Sequence, residues 1–272
     1  MATPTAAPSP PAQTINLSTR MRVESGDNVG IGGFIVTGSS PKRLLLRALG
    51  PSLKAFGVAE ALADPVLELH GGPFGTVIND NWKDDSAQKT RIESTGIAPS
   101  SDLESAIDVF LNPGSYTAVV RDKNNAAGVA VIEVYDLSPA VSATLANIST
   151  RAFTGTGNNI VIAGFTLGNH SGTDTIVVRG IGPSLAQAGV LNPLANPTLQ
   201  LRSANGALVA ANDDWQQEPA QAAALNNAGL APSHPLEAAI LKALPPGAYT
   251  ALLMGAQNAT GVGVIEIYDL SR

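Results

Sequence analysis

The sequence predicts an all-β protein built from two tandem homologous β-sandwiches of jelly-roll type, packed against each other. Three observations carry that expectation. The second half of the chain repeats the first in order, its apolar runs are short and end at Gly, Pro, Asn or Asp, and helix-like stretches are few.

The repeat is read by self-comparison. Asn16-Leu-Ser-Thr-Arg20 returns as Asn147-Ile-Ser-Thr-Arg151, Gly50-Pro-Ser-Leu53 as Gly182-Pro-Ser-Leu185, and Asn79-Asp-Asn-Trp82 as Asn212-Asp-Asp-Trp215. Leu103–Thr117 matches Leu236–Thr250 at 9 of 15 positions, and Gly128–Leu137 matches Gly261–Leu270 at 8 of 10. The spacing drifts by only two residues from the first match to the last, so the copies are collinear. This divides the chain into a Pro/Ala-rich arm or linker (1–13), a first repeat (14–138), a short apolar linker (139–146) and a second repeat (147–272). Each repeat, of about 125 residues, is long enough for an independent core.

In the first copy, strands are expected at about Ile15–Val23, Asn28–Val36, Lys42–Ala48, Val66–His70, Ser105–Phe110, Ser115–Arg121 and Gly128–Tyr135. Asn205-Gly206, between TLQLRS and ALVAA, signals a tight hairpin, and the NPGSYT and PPGAYT segments place Pro-Gly at a turn that launches a strand. Ser52–Leu62, Asp84–Thr95 and Glu218–Ala228 read as short helices or compact loops carried on the sandwich.

Composition narrows the function. Of 272 residues, 44% are hydrophobic and 14% charged, against a usual charged share of about 25%. The net charge of −6 argues against a nucleic-acid partner. With no cysteine, disulfides, thiolate catalysis and Cys-based metal sites are excluded. No apolar run approaches the ~18 residues of a membrane span. The N-terminal MATPTAAPSPPAQ lacks the basic and apolar regions of a secretory leader and reads as an extended linker.

Four pairs of repeated motifs are candidates for chemistry. Arg47 and Arg179 stand in apolar strands, where a guanidinium needs a partner; Glu133 and Glu266, in equally apolar strands, are available. Structural ion pairs Arg47–Glu133 and Arg179–Glu266 are therefore expected, the alternative being arginines that bind an anion or a sugar hydroxyl. The clusters Asn79-Asp80-Asn81-Trp82 and Asn212-Asp213-Asp214-Trp215 are the candidate ligand-binding residues: Trp82 and Trp215 for stacking on a sugar ring, Asn79, Asp80, Asn212 and Asp213 for its hydroxyls. The oxygens of Asp80, Asp84 and Asp85, and of Asp213, Asp214 and Glu218, form a candidate Ca²⁺ set, although the spacing is not that of an EF-hand. Asx turns and tryptophans that close one end of a core are the structural reading of the same residues. Glu104 and Glu237 head apolar strands and suit a turn bond better than a glycosidase pair, because an active site is not normally duplicated. His70, His170 and His234 do not recur between copies, and no HExxH or triad pattern is present.

Through RALGPSL and RGIGPSL, Asp64-Pro65 and Asn196-Pro197, NDNW and NDDW, ESA and EAA, and the VIEVYDL and VIEIYDL endings, the chain resembles a poorly characterised tandem repeat. That repeat is found in the C-terminal regions of large secreted or cell-surface proteins of environmental bacteria. The matching features run through nearly all of residues 14–272. A weaker likeness is to bacterial pre-peptidase C-terminal domains, jelly-roll modules appended to secreted enzymes. The resemblance implies an extracellular accessory role and supplies no catalytic residues.

The leading expectation is thus a non-catalytic extracellular binding or adhesion module for glycan or another surface polymer. A structural spacer that self-associates through sheet edges is the second reading, and a hydrolase or oxidative enzyme with an unrecognised site the third.

Overall fold

The computed structural model of the chain describes residues 9–72 and 75–270. The first repeat supplies β1 (Gln13–Val23), β2 (Gly30–Gly38), β3 (Lys42–Leu49), β4 (Pro65–His70), β5 (Val77–Asn79), β6 (Ser105–Leu111), β7 (Gly114–Asp122) and β8 (Gly128–Asp136). The second supplies β9 (Ala143–Thr154), β10 (Val161–Gly168), β11 (Asp174–Ile181), β12 (Pro197–Ser203), β13 (Leu208–Asn212), β14 (Ala238–Leu244), β15 (Gly247–Gly255) and β16 (Gly261–Asp269). A short helix follows β5 and β13: α1 (Ser86–Glu93) and α2 (Pro219–Asn227).

All ladders between these strands are antiparallel. In the first repeat the order is β1-β8-β3-β6 in one layer and β2-β7-β4-β5 in the other. The second repeat runs β9-β16-β11-β14 and β10-β15-β12-β13, the same order strand for strand. This is the order of an eight-stranded jelly roll.

The halves meet through hydrogen-bonded ladders. β1 pairs with β10 from Gln13↔Gly168 to Arg20↔Ile162, and β2 pairs with β9 from Ile31↔Arg151 to Gly38↔Ala143. Each layer therefore runs on from one repeat into the other, eight strands wide, and Arg22↔Phe153 bridges β1 to β9 where the layers approach. One hydrophobic cluster contains Leu17, Phe34 and Leu67 of the first repeat with Ile148, Phe165 and Leu199 of the second. The strands alternate apolar and polar residues on both sides of the join, so burial continues across it.

Two sequence boundaries also move. Residues 143–146 belong to β9 rather than to a linker. Of the N-terminal arm, residues 1–8 lie outside the described residues, but the next few are docked: Pro11 bridges Gly172, and Ala12 N–H donates to Gly172 O at 3.0 Å. A Cβ at Gly172 would stand 2.3 Å from Pro10 O, so glycine is needed for that approach.

The middle strands have both faces covered, which accounts for their unbroken apolar runs. Leu44, Leu46 and Ala48 of β3 face the main core, while Leu45 packs outward on Trp82 and Ile92. β11 repeats this, with Ile176 and Val178 inward and Val177 against Trp215 and Leu225. Cross-strand rings Phe34–Tyr116 and Phe165–Tyr249 stack at 5.5 and 5.3 Å between centroids. The same tyrosines tie the Pro-Gly turns, their hydroxyls donating to Asn112 O and Pro245 O at 2.7 and 2.8 Å.

Candidate functional site

The residues repeated in both halves gather on two outer sheet faces. In the first repeat the segment between β5 and β6 folds over β3 and β6, started by Asp85, whose side chain accepts the Gln88 N–H at 2.7 Å as the cap of α1. Gln88 then accepts the Asp108 N–H of β6. In the second repeat Gln221 bonds both Ala239 O and Leu241 N on β14.

Trp82 and Trp215 lie beneath these segments, 5% and 6% exposed. Their indole N–H groups donate to Ser101 O and His234 O, at 3.1 and 3.2 Å. Asn79 accepts the Ala106 N–H at 2.8 Å and donates to Asn81 O; Asn212 does the same with Ala239 and Asp214. Stacking of these tryptophans on a sugar ring is corrected: the rings are plugs between a sheet and its cover, because a large flat apolar group with one donor fits that gap.

Glu104 and Glu237 are fully buried. Glu104 accepts the backbone N–H groups of Gly50 and Ser52 at 3.0 Å, the Ser52 hydroxyl at 2.5 Å and the Ser101 N–H at 3.3 Å. Glu237 holds Gly182, Ser184 and His234 in the same way. The sequence reading expected a turn bond at Glu104 and Glu237 but not its partner: the acid that heads β6 or β14 holds the Gly-Pro-Ser turn that follows β3 or β11. The signal was the return of both motifs together.

Arg47 pairs with Glu133, reaches Ile97 O, and lies 5.0 Å over the Tyr135 ring, whose hydroxyl bonds Glu133. Arg179, Glu266, Leu230 O and Tyr268 repeat the arrangement, the ion pair at 2.5 Å. Burial, followed by the adjacent glutamate, pushes the Tyr135 and Tyr268 hydroxyls up to about 12. A second lock, also missed, is the buried Lys42, whose ammonium lies 2.7 Å from Asp136 and from Ala143 O.

Neither candidate Ca²⁺ set, Asp80, Asp84 and Asp85 in the first repeat or Asp213, Asp214 and Glu218 in the second, gathers into a metal-holding group among the described residues. Asp85 and Glu218 sit at the N-caps of α1 and α2, Asp84 accepts from Asn81, and Asp80 pairs with Lys123 at 2.5 Å. Among the described residues, no group of three or more His, Cys, Asp or Glu side chains is placed to hold a metal ion. In the first repeat each acid has a nearer partner: the Gln88 N–H for Asp85, the Asn81 side-chain amide for Asp84 and the Lys123 ammonium for Asp80. Among the described residues, no helix is long and apolar enough to cross a membrane.

Comparison with known proteins matched no family model and no curated protein. Among solved structures, the chain is similar to the STIV MCP at 11% identity and a TM-score of 0.24, over 95% of both chains. An atomic structure of Sulfolobus Turreted Icosahedral Virus gives 12% identity and a TM-score of 0.21, over 95% of this chain and 89% of that one. Likenesses of this size carry no argument about fold or role.

Proposed function

We propose that the chain is a non-catalytic structural module of an extracellular or cell-surface protein, a duplicated jelly roll that spaces its neighbours and joins further copies of itself along sheet edges. One observation carries this reading: the polar side chains repeated in both halves spend their bonds on the framework. Glu104 and Glu237 hold turns, Arg47 and Arg179 hold strands, and Asn79 and Asn212 hold the covers. Even where Arg179, Glu237 and Glu266 line a hollow of about 360 Å³ in the second repeat, their polar atoms are bonded to strands and turns.

The edges support the assembly half of the proposal. β5, β6 and β13 end their layers, and they expose Ile78, Phe110 and Leu208 by 58%, 66% and 56%. Exposed apolar side chains on edge strands favour pairing with another chain, and the two repeats are themselves joined strand to strand. Glycan recognition would need a different aromatic face, since Trp82 and Trp215 are enclosed.

Light scattering across a concentration series tests the proposal. Association should appear at high concentration and weaken in Ile78→Lys, Phe110→Lys and Leu208→Lys. A strict monomer at all concentrations, or a polysaccharide pull-down that succeeds where self-association fails, overturns it.

A further inference from the structure

The layers end in β6, β13, β14 and β5, and two of these edges are already closed by side chains of the cover segments. On β6 the outward N–H groups of Ala106 and Asp108 donate to Asn79 Oδ1 and Gln88 Oε1, at 2.8 and 3.1 Å. On β14 those of Ala239 and Leu241 donate to Asn212 Oδ1 and Gln221 Oε1, at 2.8 and 2.9 Å, and Gln221 Nε2 donates back to Ala239 O at 3.0 Å. A side-chain amide offers the same C=O and N–H as a peptide unit, so these residues sit where a neighbouring strand would. A strand that joined β6 or β14 along these groups would first have to displace the cover.

β5 and β13 carry no such cap among the described residues. Val77–Asn79 is three residues long, whereas Leu208–Asn212 is five and uncharged. Their surroundings differ too. On the strand beside β13, the Arg202 guanidinium rests on Gly206 O and Gln200 Oε1, at 2.9 and 2.7 Å, with no carboxylate partner among the described residues. The matching position beside β5 is His70, which already lies 3.3 Å from Glu68. Arg202 and Asp213 stand at opposite ends of the β12–β13 hairpin on one face. Thr198, Gln200 and Arg202 alternate onto that face, Gln200 pairs with the exposed Ala211, and Thr198 lines a hollow together with Asp213.

We propose that a second copy of this chain pairs along β13, antiparallel about a twofold axis near Ala210, and that this pair is the first contact of the self-association on which the inference rests. The twofold arrangement turns Arg202 of each copy toward Asp213 of the other, so one complementary contact is made twice. A parallel pair would set Arg202 against Arg202 and Asp213 against Asp213. Pairing β13 with β5 would carry Asp213 to the end of β5 held by Glu68 and His70. The layer that ends at β13 then continues into its copy, just as β1 and β10 carry it from one repeat into the other.

Sedimentation of the whole chain over a concentration series tests the pairing. A dimer should precede any larger species. Leu208→Lys should abolish it, because a lysine on an open edge opposes strand addition, while Phe110→Lys should spare the dimer and remove only larger species. Arg202→Glu and Asp213→Lys each turn two attractions into repulsions and should raise the dimer Kd by roughly tenfold. An equimolar mixture of these two variants should recover the parent's dimer, since the exchanged charges then face each other. Circular dichroism melts separate lost pairing from lost folding, and the exposed Leu208 and the part-exposed Arg202 decide the matter by themselves if Asp213→Lys folds poorly. Association indifferent to Leu208→Lys and Arg202→Glu, or a mixture of folded variants that stays monomeric, overturns the β13 pairing and leaves the structural role standing. A monomer at every concentration overturns both.

Discussion

The Ser52 hydroxyl donates to Glu104 Oε1 at 2.5 Å, inside a carboxylate that is fully buried and also receives three backbone N–H groups. Ser184 and Glu237 repeat the bond in the second half. Replacing the acid strands those donors away from water. Glu104→Ala should cost ~3–5 kcal/mol, read from denaturant unfolding, and Ser52→Ala about 1 kcal/mol. Equal stability of Glu104→Ala and the parent chain would show that the turn holds itself.

The Arg47–Glu133 pair is largely shielded, with side-chain exposures of 12% and 13%. Arg47→Met should destabilise by ~3 kcal/mol, because Glu133 keeps its charge without its main counter-ion. Adding Glu133→Leu should recover much of that loss. A double-mutant cycle with no coupling would deny that the two side chains act together.

Iodide should quench the fluorescence of Trp82 and Trp215 weakly in the folded chain and strongly in urea, since both rings are enclosed. Trp82→Ala and Trp215→Ala should each cost ~3–5 kcal/mol of stability by emptying the space under the cover. Strong quenching of the native protein would restore the stacking role set aside above.

Alkali should act through the tyrosines. Tyr135 and Tyr268 titrate near 12 when folded and near 10 when unfolded. Between those values the folded chain keeps protons that the unfolded chain has lost, so stability is complete below pH 10 and falls as pH rises toward 12. The slope is ~1.4 kcal/mol per pH unit for each tyrosine. Burial also raises Tyr116 and Tyr249, in the same direction. Tyrosinate absorbance should therefore appear together with unfolding, and a free titration near pH 10 in the native state would contradict the buried geometry.

The join between repeats makes a further prediction. A fragment ending near residue 140 lacks β9 and β10, which leaves β2 and β1 as open edges. It should associate or aggregate, and adding residues 141–270 in trans should suppress this. A stable monomeric fragment would mean that each repeat closes by itself.

Most strands were legible because their period-two burial and their Gly, Pro and Asn boundaries are local properties of the chain. β3 was read as Lys42–Ala48 and spans Lys42–Leu49; β8 was read as Gly128–Tyr135 and spans Gly128–Asp136. β5 was missed, since three residues, Val77–Asn79, are too few to show a period. The cross-repeat ladders were illegible for a different reason: β1 alternates identically whether its neighbour is β8 or β10, and pattern alone does not name a partner. At the site, the Arg–Glu pairs were readable because a lone charge in an apolar strand demands a counter-charge. The burial of the tryptophans was not, as Asn, Asp and Trp side by side suit a turn and a sugar platform equally. The Lys123 contact escaped because it joins segments far apart in sequence, and Lys123 has no counterpart in the second copy.

β1 and β9, the opening strand of each repeat, lie in the interior of their layers between a strand of their own repeat and one of the other. During synthesis, β1 and β2 leave the ribosome well before β10 and β9 exist to meet them. The early half must wait with two unfinished sheets, and the chain locks only when its last hundred residues arrive. Time spent half-made, rather than the stability of the finished molecule, then sets the demand for a chaperone.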